Sequence, residues 1–393
     1  MISVEQAIDI VRINTKPIAA FELKKVKDAY GDILFEDVLS PINMPPFRQS
    51  AMDGYALHLN GSDSYRIIGE VKAGDGHHPI LKPGEAIRIF TGAPVPDTAN
   101  ALVMQEKTAV DDTRLKLKSE VVQNENIRPL GEQVLKGQTA LNKGTHLTAA
   151  AIAFLTSLGI TDIKVYKKPT IAVVVTGNEL VEAGQHLAYG QIYESNATML
   201  SAALKCLEYN NVSIHKVSDD YKSTLHLLNQ VISDYDVILI SGGISVGDYD
   251  FVEKALDEIG VEQLFYKVNQ KPGKPLFFGK KESKTVFALP GNPAAALSCF
   301  YVYVYPALQK MRGHLDFSLT KAKAISKSNF TINVNRAQFL KAIYTNGEVE
   351  ILDGQNSSML HTFALANALA YVPETSGSIK INDMVEVILF PIN

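Results

Sequence analysis

The stretch Asp236-Val-Ile-Leu-Ile-Ser-Gly-Gly-Ile-Ser-Val-Gly-Asp-Tyr-Asp250 constrains the fold more than any other part of this chain. The apolar run from Asp236 to Ile240 shows no alternation of polar and apolar faces, as a parallel strand buried on both sides requires. A glycine-rich turn, Gly242 to Gly247, follows at the carboxyl end of that strand, the edge where open α/β sheets bind ligands. Glycine lets the backbone approach an anion closely with its N–H groups exposed. Asp248 and Asp250 then precede a helix expected from Phe251, so hard carboxylate oxygens lie beside a phosphate cradle, an arrangement that suits Mg²⁺ held between protein and phosphate. A tight turn whose Asp caps the next helix accounts for these residues equally well.

The neighbouring pattern makes that strand one of several. Strands are expected over 170–175, 211–217, 263–268 and 286–289, and helices over 195–207, 223–233, 251–259 and 294–311. Such alternation implies right-handed crossovers and a doubly wound sheet whose strand ends converge on one crevice. Glu179 follows the first strand, Asp219 and Asp220 the second, Asp248 and Asp250 the third. A fourth end carries Lys267, Lys271 and Lys274 around a Pro-Gly turn. Carboxylates for a metal and ammonium groups for oxyanions are what phosphoryl chemistry requires. A self-compensating salt-bridge cluster is the alternative.

The flanking segments read differently. Ser3 to Arg12 has helical spacing, with Gln6 placed for a capping box, and 24–37 mixes helix and strand character. From the proline-rich 41–46 to Lys143, short strands at 65–71, 86–90, 101–104 and 115–118 indicate an inserted β domain. Asp53 and Thr91 each sit beside glycine in a loop of that domain, where Asx and Ser/Thr turns are the local reading. An alanine-rich helix is expected over 145–159, with His146 near its start and Gly159 as its stop. Beyond Arg312, strands at 321–326, 330–334, 338–344, 348–352 and 383–390, with a short helix within 357–367, make a small all-β domain.

The fold class is therefore α/β: a doubly wound, mixed or parallel sheet domain (168–312) with an inserted small β domain (44–143), a helical linker and dimer domain (1–43 and 144–167) and a C-terminal β-barrel-like domain (313–393). The formal charge of −4 provides no global basic field, which argues against nucleic acid as a partner. Any anionic ligand must then be gathered by local lysines and arginines. The N-terminus lacks a signal-peptide pattern and no apolar run reaches about 18 residues, so a cytoplasmic protein with no membrane association is expected. Cys206 and Cys299 lack metal-ligand spacing and read as core thiols.

Taken together, the loops resemble those of the molybdopterin molybdenumtransferase family, whose eukaryotic relatives include the gephyrin E domain. The resemblance covers essentially the whole chain. It rests on Pro45-Pro-Phe-Arg-Gln-Ser-Ala-Met-Asp-Gly-Tyr-Ala56, Thr91-Gly-Ala-Pro94, Arg128-Pro-Leu-Gly-Glu132, Thr176-Gly-Asn-Glu179, Ser241 to Asp250, Lys271-Pro-Gly-Lys-Pro275 and Leu289-Pro-Gly-Asn-Pro293. Each motif is weak alone, and their joint order is specific.

The resemblance implies cleavage of adenylated molybdopterin with release of AMP, insertion of molybdate at the dithiolene, and a requirement for Mg²⁺. It also implies a homodimer in which the β domain of one subunit closes the cleft of its partner, with the molybdopterin adenylyltransferase as a candidate partner protein. By matching position, Asp53 and Thr91 are the functional residues of the β domain. Glu179, Asp219 and Asp250 surround the metal and pyrophosphate, with Asp219 and Asp250 expected to position Mg²⁺. Ser245, Lys271, Lys274, Arg336 and Ser357 are expected to bind molybdate or the pterin phosphate, and Lys267 to lie near the nucleotide. Arg48-Gln49, Gln133, Asn178 and Ala294-Ala295 depart from the commoner family pattern, and Arg48 adds a cation near Asp53 that could alter its pairing. Two competing readings share the doubly wound domain: a molybdopterin adenylyltransferase, against which the extra domains argue, and a non-catalytic scaffold.

Overall fold

The computed structural model describes residues 1–244, 251–332 and 335–391. The chain forms two compact units, one of Met1–Phe21 with Tyr166–Asn393 and one of Glu22–Val165.

The first unit is built on a six-stranded sheet in the order Val212–Val217, Ile171–Thr176, Val237–Ser241, Lys284–Leu289, Phe277–Lys281, Glu262–Tyr266. The first four strands are parallel, Phe277–Lys281 runs against them, and Glu262–Tyr266, antiparallel to Phe277–Lys281, runs with the four. Ile171–Thr176 and Val237–Ser241 are buried at every position, because their alternate side chains enter two different cores. Ile171, Val173, Val175, Val237 and Leu239 pack with the helices Asn196–Cys206 and Pro293–Cys299. Ala172, Val174, Ile238 and Ile240 pack with Tyr221–Asp234 and Phe251–Ile259. Each large aliphatic so buried contributes about 1.5–3 kcal/mol. A doubly wound sheet was the sequence expectation, and it is what forms.

Three details differ from that expectation. Phe277–Lys281 is a strand, hairpinned onto Lys284–Leu289; the glycine in its middle hid it, and Gly279 is there because a Cβ would come 2.8 Å from Glu262 O. The helix expected over 294–311 is instead Pro293–Cys299, a π turn Phe300–Val304 and a helix Tyr305–Met311, since Pro306 has no N–H to continue the ladder. Cys206 is exposed rather than in the core, whereas Cys299 is buried, which pushes its thiol up to about 12.

The C-terminal strands Lys321–Ser326, Ala337–Thr345, Glu348–Ile351, Ala368–Val372 and Met384–Leu389 pair around a closed ring, giving a five-stranded barrel with no free edge. Ala368–Val372 was not among the strands expected from the sequence, since its two alanines weaken strand propensity. In place of the strand expected over 330–334, the described residues have a single bridge from Phe330 to Ile379. The capping box of the first helix, Val4–Asn14, forms as expected, with Gln6 N donating to Ser3 Oγ and Ser3 N to Gln6 Oε1.

In the second unit a six-stranded sheet runs in the order Ala101–Met104, Gly54–Leu57, Glu85–Ile89, Ser64–Val71, Arg114–Leu117, Thr108–Asp111. Gly54–Leu57 begins within a segment read from the sequence as a loop and is wholly buried; a Cβ at Gly54 would lie 1.9 Å from Val103 O. The alanine-rich helix spans Ala149–Ser157, because Thr148 Oγ1 caps it by accepting from Ala151 N. His146 therefore precedes it, in a bridge with Ile33. Among the described residues no helix is long and apolar enough to cross a membrane.

Candidate active site

A cleft of about 820 Å³ opens at the carboxyl ends of the parallel strands of the first unit. Three turns wall it: Thr176 to Glu179 after Ile171–Thr176, Ser241 to Ile244 after Val237–Ser241, and Pro290 to Pro293 after Lys284–Leu289. Glycine is obligatory in the second turn. Gly242 has φ +96° and a Cβ there would meet Thr176 O at 2.9 Å; Gly243 has φ +66° and would meet Val252 Cγ2 at 2.6 Å.

Glu179 and Asp219 both line the cleft. They arrive from adjacent strand ends, locked together by a reciprocal pair: Asn178 N donates to Asp219 Oδ2 at 3.2 Å, and Asp219 N to Asn178 Oδ1 at 3.1 Å. Asn178, one of the departures from the family pattern, is thus a strut between the two turns. Asp220 plays another part. It caps the helix Tyr221–Asp234, and the hydroxyl of Ser218 with the N–H of Ser223 holds its carboxyl down to about 2.

The helix Asn196–Cys206 turns its N-terminus to the same cleft, with Glu194, Ser195 and Asn196 on the wall. At that end Ala197 N donates to Glu194 Oε1 at 2.8 Å, as the positive end of the helix dipole favours an anionic group. Asn196 ties the walls together, donating to Ser241 Oγ at 2.8 Å and Gly291 O at 2.7 Å. Among the described residues, its Oδ1 and Thr176 Oγ1 are buried without a hydrogen-bond partner. Glu194, Asn196 and Asn292 were not singled out as site residues from the sequence. Glu194-Ser-Asn196 before an apolar helix carries the same signature as an ordinary cap, and Asn292 was visible only as part of the Pro-Gly-Asn-Pro motif.

The remaining sequence-predicted residues separate into groups. Ser357 and Ser358 line the cleft from the barrel; Ser357 Oγ accepts from Asn292 Nδ2 at 2.9 Å and Ser357 O from Ala295 N at 3.3 Å. Gly273 and Pro275 line it too, while Lys271 and Lys274 flank them and are not themselves on its wall. The strand Gln270–Lys271 adds in parallel to Ala337–Gln338, next to Arg336, so the barrel strand brings that arginine to the lysine loop. Lys267 lies apart, its ammonium 4.7 Å above the Tyr266 ring. Ser245 and Asp250 lie outside the described residues. Asp53 and Thr91 belong to the second unit, where Thr91 N and Thr91 Oγ1 both donate to Asp53 Oδ1 at 2.7 Å and hold its carboxyl below the usual range. Arg48 does not pair with Asp53. It donates to the carbonyls of Pro96, Asp97 and Ala99.

Among the described residues no group of three His, Cys, Asp or Glu forms a metal cage. Glu179 and Asp219 alone are too few carboxylates to enclose a cation, and would suit one that takes its remaining oxygens from a bound phosphate.

Three family models match the chain: the MoeA N-terminal region (domain I and II) over residues 2–159, a probable molybdopterin binding domain over 172–310, and the MoeA C-terminal region (domain IV) over 323–390. A molybdopterin molybdenumtransferase of Haemophilus influenzae is 33% identical over 376 residues, covering 93% of each chain. One of Staphylococcus epidermidis is 30% identical, covering 99% of this chain and 95% of the relative. Among solved structures, a molybdopterin biosynthesis MoeA protein of Pyrococcus horikoshii OT3 superposes with a TM-score of 0.85 at 28% identity, covering 99% of this chain and 100% of the other.

Proposed function

The chain belongs to the molybdopterin molybdenumtransferase family, transferases of molybdenum cofactor biosynthesis that insert molybdenum, and we propose that it inserts molybdate into adenylated molybdopterin, with Mg²⁺-dependent cleavage of the phosphoanhydride and release of AMP. One observation carries this reading: Glu179 and Asp219, from neighbouring strand ends, face the same cleft as the Gly242-Gly243 turn and the N-terminus of the helix Asn196–Cys206.

All the reactants are anions. The positive end of the helix Asn196–Cys206 and the open backbone of the glycine turn favour their oxygens without needing a bulk positive field. Asp219 and Glu179 would hold Mg²⁺, together with Asp250. The ion supplies charge neutralisation on the anhydride oxygens. Asn178 keeps Asp219 oriented, Asn196 keeps the Ser241 and Pro290 turns at a fixed separation, and Ser357 offers a hydroxyl from the barrel side. Lys271 and Lys274 flank the cleft on a loop pinned to the barrel and approach the oxyanion from there, beside Arg336.

The same reading makes the protein a cytoplasmic homodimer in which Asp53 and Thr91 of one copy complete the cleft of the other, and which receives adenylated molybdopterin from the adenylyltransferase. Among the described residues, the exposed Asp53 carboxylate is bonded only through Oδ1, so Oδ2 is left for a ligand. Purified protein incubated with adenylated molybdopterin, molybdate and Mg²⁺ should release AMP and activate a molybdenum-free apoenzyme. Adenylation of molybdopterin by ATP without molybdate would identify an adenylyltransferase instead. A folded protein that does neither would be a scaffold.

A further inference from the structure

Lys341 is a charged residue at a buried position of the barrel wall. It lies within the barrel strand Ala337–Thr345, between the buried Leu340 and Ala342, and is itself 3% exposed. Among the described residues no carboxylate pairs with it. Its Nζ donates to three backbone carbonyls, Gly354 O at 2.7 Å, Asn356 O at 3.1 Å and Met359 O at 3.3 Å. An ammonium has three N–H donors, and here each has an acceptor. Burial without a counter-ion pushes its pKa down, so its retention needs a reason other than core stability.

All three acceptors belong to the segment that brings Ser357 and Ser358 to the cleft wall. That segment has no strand or helix between Ile351 and Leu360 to hold it. Gln355 ties it to the same position of the barrel: Lys341 N donates to Gln355 Oε1 at 2.9 Å, and Gln355 Nε2 to Lys341 O at 2.9 Å. At its tip Ser357 Oγ accepts from Asn292 Nδ2, which leaves the hydroxyl hydrogen of Ser357 to donate elsewhere.

We propose that Lys341 is a positioning residue for molybdenum insertion: it gathers the 354–359 loop around its ammonium so that the Ser357 and Ser358 hydroxyls are held toward the oxyanion substrate. The inference rests on the proposed function of the cleft. An apolar residue at 341 would fill the same space and leave three carbonyls turned inward with no donor, and the loop would rearrange to reach water.

Lys341→Met, Lys341→Gln, Ser357→Ala and the Lys341→Met/Ser357→Ala pair separate the possibilities, each assayed for AMP release and molybdenum insertion and checked for folding by circular dichroism. A folded Met or Gln variant should raise the KM for molybdate about tenfold, the scale of one lost charge-assisted hydrogen bond, with a smaller change in kcat. The double variant should fall short of the sum of the two single effects, because Lys341 acts in part through the Ser357 hydroxyl that Ser357→Ala removes. A raised KM in Ser357→Ala with a wild-type KM in a folded Lys341 variant overturns the role of Lys341 and leaves the cleft reading intact. No effect of Ser357→Ala on the KM for molybdate overturns this inference and leaves the proposed function standing, which falls only if the native protein neither releases AMP nor inserts molybdenum. If neither Lys341 variant folds, the lysine is a stability residue and the positioning role is lost.

Discussion

Thr91 donates both its backbone N–H and its hydroxyl to the same oxygen of Asp53, each at 2.7 Å. Two donors on one oxygen stabilise the ionised form and lower the pKa. Thr91→Ala removes the hydroxyl bond and should raise the Asp53 pKa toward its ordinary value, while Thr91→Ser should keep it low. Because the folded pKa is depressed, the stabilisation linked to Asp53 is present above the unfolded carboxylate pKa, about 3.9, and is lost as pH falls through the lower folded value. Carboxyl chemical shifts followed through a pH titration read this directly; an unshifted midpoint in Thr91→Ala contradicts it.

Asp219→Asn and Glu179→Gln keep the shape of the cleft wall and remove one negative charge each. The backbone partner of Asp219, Asn178 N, can still be accepted by the amide oxygen, so folding should be unaffected. AMP release should fall roughly a hundredfold or more in each, and a higher Mg²⁺ concentration should be needed for half-maximal rate. Wild-type Mg²⁺ dependence in both variants would remove these acids from the metal site.

Asp220 sits next to Asp219 in the chain and answers to different physics. Its carboxylate accepts from the Ser218 hydroxyl and from Ser223 N at the start of the helix Tyr221–Asp234. With a folded pKa of about 2 against about 3.9 unfolded, its stabilisation is complete above about pH 4 and disappears as the pH approaches 2. Asp220→Ala should lower the melting temperature at pH 7 and leave the KM for molybdate unchanged, and Asp220→Asn should recover most of the loss because it still caps. Equal melting curves for Asp220→Ala and the native chain at pH 7 contradict the capping role.

The contrast between these adjacent acids marks where the sequence stops being sufficient. Val237–Ser241 and Ile171–Thr176 were legible because burial on both faces demands continuous apolar residues, and the glycines after them because the turn needs them. Which of two neighbouring acids caps a helix and which faces the cleft depends on the rotation of the strand end, and a linear pattern carries no such angle. Asn196 was illegible for a related reason: its bonds run to Ser241 and Gly291, far away in sequence. Lys341 carried no signal within the strand expected over 338–344, since its three acceptors lie in a loop whose path only the closed barrel defines. Ala368–Val372 and Phe277–Lys281 were hidden where alanine and glycine weaken strand propensity and tertiary pairing overrides it.

Gly273, between the two lysines of the Lys271-Pro-Gly-Lys274 loop, tests whether the shape of that loop matters. Its φ of +81° is costly for any residue with a Cβ, and that Cβ would lie 2.5 Å from Cys299 Sγ and 3.1 Å from Gln270 Nε2. Neither neighbour can yield freely: Cys299 and Gln270 are both about 1% exposed, and Gln270 donates to Gly273 O at 2.9 Å while accepting from the buried Tyr303 hydroxyl. Gly273→Ala should therefore cost about 1–3 kcal/mol in unfolding free energy and displace Lys271 and Lys274. Gly273→Ala/Cys299→Ala removes the sulfur contact but leaves the φ strain, so it should regain part of the activity while staying less stable than Cys299→Ala alone. Denaturant unfolding and the KM for molybdate, measured on all three variants, separate the two causes. Full activity in Gly273→Ala would mean that the lysines act without the loop geometry and would count against their part in gathering the oxyanion.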